Sequence, residues 1–317
     1  MNNNLDLPLV SICIPSYNHE KYIAETINSV ILQDYKNIEL IIIDDCSGDK
    51  SESVINSFSD KCKDRFIRFE YHKNETNKGI SYNLNKAIKW AQGKYFYAIA
   101  SDDILLPFKT SLLVSEIEKL DDSYAAIFGD ANLINKNSEA ICFDEQGIFY
   151  LKNSPNSFSD SFLQFFFRRS AVVQRKEINF NANFDVEFKD ILIGNFLPAM
   201  SNLTKLDTIK IVKSYTEGNS IEDLEMLFKL TRKYKIKVIT KPVALYRMHN
   251  KNTVYTIRKK LLEDEIKLLI SQKRFALHKK LDNIFYARLQ FLIRLLYNID
   301  ATMAEYYAEK NGIKLIK

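Results

Sequence analysis

The chain has 317 residues, 46% of them hydrophobic and 27% charged. That is enough apolar mass for a sizeable core, and it argues against disorder. One large domain with an appendage suits that length. The formal net charge of +5 is too mild to demand nucleic acid, and none is expected as a partner. It suits an anionic ligand, or an anionic membrane surface where the excess is clustered.

Cys13, Cys46, Cys62 and Cys142 form no close pair. Reduced thiols in a cytosolic protein are expected, with disulfides or a metal site as the alternatives. Met1–Asp6 lacks the basic and apolar regions of a signal peptide. No apolar run approaches the roughly 20 residues needed to span a bilayer. A soluble or peripherally attached protein is expected.

In chain order, Leu9–Pro15 is a β-rich run ended by proline, followed by the polar turn Ser16-Tyr-Asn-His19. Ile23, Ile27, Val30 and Ile31 then recur at helical spacing. Ile38–Ile43 is apolar on both faces, as a central parallel strand should be, and stops at the turn-rich Asp44–Asp49. A helix over Ser53–Phe58 leads to a third strand, Ile67–Tyr71, and then to an Asn77-Lys-Gly79 turn. Leu84, Ala87, Ile88 and Ala91 mark an amphipathic helix ended by Gly93, and Tyr95–Ile99 is a fourth strand running into Ser101-Asp-Asp103.

Strand and helix thus alternate four times, which predicts an α/β fold with a doubly wound, mainly parallel sheet flanked by helices. In such sheets ligands bind outside the carboxyl ends of the strands, where the polar loops just named sit. Beyond them, Ala125–Phe128 reads as a strand ending at Gly129-Asp130. Residues 135–200 show no single strong period. Ile221–Tyr234 is an amphipathic helix, and Lys237–Thr240 and Val243–Arg247 read as short edge strands around Pro242. From Thr256 onward, basic pairs alternate with apolar residues in long helix-forming stretches, so a boundary is placed near Asn252.

Adjacent carboxylates after a buried strand are costly unless a cation neutralises them. Asp102 and Asp103 therefore read either as a site for Mg²⁺ or Mn²⁺ on a ligand diphosphate or as caps of a helix beginning near Leu106-Pro107. The second pair, Asp44-Asp45, at a neighbouring strand end favours the site. Asn77 and Gly79 belong to a turn that brings backbone close to a phosphate, although such turns are common. Glu222 and Asp223 open a helix and read as caps or as a general base. His249 is structural, exposed or a ligand, and His19, His72 and His278 offer no constellation. Dinucleotide-binding, phosphate-loop and hydrolase-elbow glycine motifs are absent.

Together these segments resemble family 2 glycosyltransferases. The resemblance rests on Val10-Ser-Ile-Cys-Ile-Pro-Ser-Tyr-Asn18, Ile41-Ile-Ile-Asp-Asp-Cys-Ser-Gly-Asp49, Asn77-Lys-Gly79 with Asn85, Gly93-Lys-Tyr95, Ser101-Asp-Asp103, Glu222-Asp223 and Tyr246-Arg-Met-His249. It covers roughly residues 8 to 252. The resemblance implies a GT-A fold over 1–252, with a nucleotide half at about 8–130 and an acceptor half at about 131–252. A basic, amphipathic helical extension over 253–317 completes the chain.

It further implies that Pro15, Tyr17 and Asn18 line a nucleotide pocket, with Asp45 and Asp44 at the base or ribose and Asp102 at the ribose. Asp103 would hold a divalent metal, Mn²⁺ or Mg²⁺, with His249 beside it. Asp223 would be the catalytic base and Glu222 its neighbour or substitute. The implied reaction inverts the anomeric centre of a nucleotide-sugar donor. Two departures stand out: Ala100 occupies the first position of the usual Asp-x-Asp-Asp, and Tyr215-Thr-Glu-Gly218 stands where Gly-Phe-Asp often precedes the base.

The basic C-terminal region, notably Phe285–Tyr297, suits contact with an anionic membrane surface; packing on the catalytic domain or dimer contact is the alternative. The chain is similar to bacterial enzymes that build O-antigen or capsule units on a lipid carrier. The expected reaction moves glucose from UDP-glucose in β-1,3 linkage to undecaprenyl-diphosphate-linked N-acetylglucosamine. Galactosyl or N-acetylhexosaminyl transfer, or a degenerate nucleotide- or glycan-binding protein, are the alternatives. The expected location is the cytoplasm, peripheral on the inner face of the bacterial inner membrane.

Overall fold

The computed structural model describes residues 7–152, 158–170, 180, 182–250, 252 and 257–314. The N-terminal Met1–Asp6 and the start of the expected extension at 253–256 lie outside them. The strands are β1 Val10–Ser16, β2 Ile38–Asp44, β3 Arg68–Lys73, β4 Tyr95–Ala98, β5 Ile104–Leu105, β6 Tyr124–Asn135, β7 Ile141–Phe143, β8 Phe149–Leu151, β9 Phe184–Val186, β10 Asn202–Lys205 and β11 Lys235–Met248. The main sheet runs β3-β2-β1-β4-β10-β6-β11-β5, with β9 also on β11, and β7–β8 form a separate hairpin. Pairing is parallel from β3 to β4 and between β6 and β11, whereas β5, β9 and β10 run antiparallel to their neighbours.

Burial on both faces explains why β1 and β2 read as continuous apolar runs. Ile12, Ile14, Leu40 and Ile42 pack with the Ile23–Ile31 helix on one side. Cys13, Ile41 and Ile43 pack with Leu84, Ala87 and Ile88 of the Ile80–Trp90 helix on the other. Successive residues facing opposite layers is the two-residue period of a strand. The parallel register sets Ser16 opposite Asp44 and Asp44 opposite Lys73, so the carboxyl ends of β1 to β3 form one rim.

Two expectations need correction. The two short edge strands around Pro242 are a single interior strand, β11, paired with β6 on one side and with β5 and β9 on the other. Its register shifts at Val238/Pro242 and Pro242/Ala244, and such an irregularity is where a residue without an N–H is tolerated. Likewise β6 does not end at Gly129-Asp130 but continues to Asn135. A Cβ at Gly129 would lie 2.5 Å from a Val243 methyl, so glycine there permits the close approach of β11.

For the extension, packing on the catalytic domain is the alternative that the structure shows. Phe285, Leu289, Leu292, Ile293 and Leu296 are buried with Ala126, Phe128, Ile236 and Val238 of the sheet in one apolar cluster. The apolar face of the Asp282–Tyr297 helix therefore meets the protein core. Among the described residues, no helix is long and apolar enough to cross a membrane. All four cysteines are free thiols.

This shared core makes a prediction. Leu292 is 1% exposed, and Leu292→Ala should cost about 2 to 5 kcal/mol through lost burial and a residual cavity. Urea unfolding followed by circular dichroism should shift as one transition for the whole protein. A loss confined to a separate, early C-terminal transition would contradict the shared core.

Candidate active site

At the rim of β1 and β2, Asp44 is fully buried and accepts from the Ser47 amide at 3.1 Å and from the Ser47 hydroxyl. Both bonds hold its own turn closed. Asp45 accepts from Asn74 Nδ2 at 2.9 Å and from the Lys78 and Gly79 amides at 2.8 Å each. It thereby draws the 74–79 loop over the sheet edge, and Gly79 supplies the left-handed backbone (φ 82°) that the turn needs. Asn77 points to solvent on the same turn.

Asn18 also sits at positive φ, 54°, a region asparagine tolerates. Its amide donates to Ser47 Oγ at 2.9 Å and its side-chain oxygen accepts from Gly48 N at 2.8 Å, so the two rim loops are stitched together. Tyr17 beside it is 47% exposed, leaving an aromatic ring available to a planar ligand. Pro15 is buried and lines the cavity described below.

Asp102 and Asp103 occupy the corner between β4 and β5, and the next helix begins only at Lys109. The helix-cap alternative therefore fails. Asp103 Oδ1 accepts from the Arg247 amide at 2.9 Å, and the Asp102 carbonyl accepts from Arg247 Nε at 2.7 Å. Burial first, and the neighbouring Asp102 charge second, push the Asp103 carboxyl well above the usual range; Arg247 pulls the other way. A carboxylate pair withdrawn from water in this way has the chemistry of a cation site.

His249 Nε2 lies 2.9 Å from Asp102 Oδ2, so it touches the first carboxylate of the pair. The reading that His19 joins no constellation is also overturned. One ligating atom from each of His19, Asp102 and His249 lies within 4.8 Å of the others. His19 Nδ1 is 2.7 Å from Ser101 Oγ, and the Tyr22 ring stacks on His249 at 5.2 Å.

Asp223 and Glu222 open the Glu222–Thr231 helix, but neither is its cap, since Ile221 holds that position without a side-chain bond. Asp223 instead accepts from Asn195 Nδ2 at 2.6 Å and from the Leu224 amide at 2.7 Å. Burial raises the Asp223 carboxyl above its ordinary value despite those donors. Burial, then the Asp223 charge, push Glu222 up to about 8. Near neutral pH this shift favours the protonated form of Glu222. Asp103, Glu222, Asp223, Pro15, Ala100 and Tyr215 all contribute to the wall of one cavity of 210 Å³. The structure thus brings the metal-type and base-type carboxylates together, with Asp45 at the adjoining rim. Ala100 puts a methyl group, not a carboxylate, on that wall.

The family profile described as "Glycosyl transferase family 2" matches residues 11–175. The chain belongs to this family. An uncharacterized glycosyltransferase of Rickettsia typhi is 36% identical over 143 residues, which is 45% of this chain and 42% of that one. The Escherichia coli UDP-Glc:alpha-D-GlcNAc-diphosphoundecaprenol beta-1,3-glucosyltransferase WfgD is 37% identical over 134 residues, 42% of this chain and 50% of its own. The chain thus spans about two-fifths to half the length of these relatives.

Two solved structures share the fold. Staphylococcus aureus TarS 1–349 in complex with UDP-GlcNAc aligns with a TM-score of 0.58 at 18% identity, over 83% of this chain and 66% of that one. The mannosyltransferase PcManGT from Pyrobaculum calidifontis, in complex with GDP-Man and Mn²⁺, gives 0.59 at 15% identity, over 97% and 76%. The glycosyltransferase's fold is accordingly GT-A, as expected.

Sequence reasoning missed three residues that the structure places at this candidate site. Arg247 was quoted in the Tyr246-Arg-Met-His motif without a role. His19 follows the first strand-end turn, and only its spatial partners identify it. Asn195 falls in the aperiodic middle of the chain, where nothing in sequence marks it.

Glu222 generates a pH prediction. Folded, it keeps its proton up to about pH 8; unfolded, it releases it near 4.5. The native state therefore holds the extra proton between those values, and wild-type stability falls as pH rises through them. Glu222→Gln removes that loss. Its melting-temperature advantage over wild type should be near zero at the acid end, grow across the window and level off above it. A constant difference at every pH would contradict the buried, protonated carboxyl.

Proposed function

We propose that this chain is an inverting, metal-dependent hexosyltransferase that moves glucose from UDP-glucose, in β-1,3 linkage, to undecaprenyl-diphosphate-linked N-acetylglucosamine. The observation that carries the transferase reading is that Asp103 and the Glu222-Asp223 pair line one cavity beside the rim of β1 and β2. The donor, acceptor and linkage are supported by the printed function of the E. coli relative. Galactosyl and N-acetylhexosaminyl donors are the nearest alternatives. Ala100 on the cavity wall favours the one reading of another kind, a degenerate nucleotide- or glycan-binding protein.

In this reading, Pro15, Tyr17, Asn18, Asn77 and Gly79 receive the nucleotide, with Asp45 and Asp44 at its base or ribose. Asp102 stands at the ribose, and Asp103 and His249 are the residues that would hold the divalent ion. That ion, when bound, supplies positive charge to offset the diphosphate of the donor. Asp223 takes the proton of the acceptor hydroxyl as its oxygen bonds to the anomeric carbon. The bond from that carbon to the diphosphate breaks, and its electron pair leaves on UDP. Attack from the face opposite the leaving group inverts the centre. Protonated Glu222 stands beside the base without adding a second negative charge.

The nucleotide half is assigned to about 8–130, the acceptor half to about 131–252 and the basic extension to 253–317. With its apolar face in the core, the extension would meet an anionic membrane only through outward basic groups such as Lys273, Arg274, Lys279 and Lys280, at the inner face of the inner membrane.

Asp223→Asn tests the mechanism. Loss of the general base should lower kcat by about 10² to 10⁴-fold, while UDP still raises the melting temperature of the variant as it does for wild type. Product is read by mass spectrometry with a synthetic diphosphate-lipid N-acetylglucosamine acceptor and a panel of UDP-hexoses. Equal turnover by both proteins would remove Asp223 from the mechanism, and no turnover by wild type with any donor would favour the degenerate binder.

A further inference from the structure

His19 is a residue the reaction proposed above does not use, yet it stands with Asp102 and His249 from three distant segments. The left-handed turn at Asn18 delivers it from the end of β1. The corner before β5 delivers Asp102, and the residue after β11 delivers His249. Each is held by its surroundings. The His19 amide donates to Ser51 Oγ at 3.0 Å and its ring meets Ser101 Oγ at 2.7 Å. The His249 amide donates to Asn252 Oδ1 at 2.6 Å, and Tyr22 stacks on its ring. The two imidazoles meet edge to face at 6.1 Å.

We propose that His19 is a cation ligand, completing with Asp102 and His249 a site of two imidazoles and one carboxylate that selects Mn²⁺, Co²⁺ or Zn²⁺ over Mg²⁺. The inference rests on the metal-dependent reading above and moves its carboxylate ligand from Asp103 to Asp102, the acid that His249 touches. Ligating atoms within 4.8 Å of one another need only small side-chain rotations to share an ion. Imidazole nitrogens suit the later divalent ions, whereas Mg²⁺ requires an octahedron of oxygens and keeps its waters. Side chains already fixed by hydrogen bonds and packing lose little freedom when the ion arrives. A purely structural histidine would instead influence folding and leave ion uptake untouched.

The test is a titration of the full chain with Mn²⁺ without nucleotide, following the loss of the free-ion electron paramagnetic resonance signal. Wild type should take up one Mn²⁺ that a tenfold excess of Mg²⁺ does not displace. His19→Ala should weaken uptake by about tenfold or more, in the range seen when metal-site partners are removed. His19→Gln keeps a hydrogen-bonding side chain without the imidazole and should behave the same, separating ligation from folding. Asp102→Asn should abolish uptake, and His72→Ala, whose ring packs on Trp90, should not change it. If both His19 variants bind as wild type while Asp102→Asn does not, His19 is no ligand and the broader metal reading survives. If Mg²⁺ displaces Mn²⁺ freely, the two-imidazole donor set is wrong. If wild type takes up no Mn²⁺ even with UDP present, the metal-dependent reading itself fails.

Discussion

A guanidinium with no exposed surface ties the site to the fold. Arg247, at 0% exposure, reaches the Asp102 carbonyl, the Asn135 carbonyl at 3.3 Å, Ser138 Oγ at 2.8 Å and the Glu25 carboxylate. Tyr22 lies over it, 4.8 Å from the guanidinium carbon. Burying an unpaired charge costs several kcal/mol, so the arrangement holds only when all these partners stay in place. They come from the first helix, the β4–β5 corner and the far end of β6. Because the Arg247 amide also donates to Asp103, the position of the acidic corner is fixed by β11, the strand that runs parallel beside β6.

Against that rigid frame, the carboxylates are placed where they are uncomfortable alone. Asp103 is pushed towards its protonated form by burial and by Asp102, and Glu222 by burial and by Asp223. In the proposed reading each pair is relieved differently, the first by a cation and the second by the one proton that Glu222 retains beside Asp223. On the proposed mechanism, the same cost of withdrawing charge from water separates an ion-binding end from a proton-accepting end. Asn195 refines that division by donating to Asp223 and partly offsetting the burial that raises it.

How much of this was legible in sequence follows from how local each signal is. β1, β2 and their flanking helices were readable because period and burial agree over six or seven residues. The strand-end loops were readable because parallel topology alone says where ligands go. β11 was misread because Pro242 breaks the local pattern, and only pairing with β6 carries the strand through it. Phe285–Tyr297 was amphipathic as expected, but periodicity does not say what meets the apolar face. His19, Arg247 and Asn195 were missed for a shared reason: their partners lie 82, 145 and 28 residues away. No window of sequence contains both members of such a pair.

Acidic groups from strand ends and from the start of the Glu222–Thr231 helix are proposed to serve one nucleotide-sugar reaction. The most direct measurement is a crystal structure of the chain soaked with UDP and Mn²⁺. Uracil should lie against Tyr17, with the ion bound at the Asp102–Asp103 corner and the terminal phosphate facing the cavity that contains Asp223. A nucleotide bound elsewhere, or an ion ligated on a face remote from that cavity, would contradict the account.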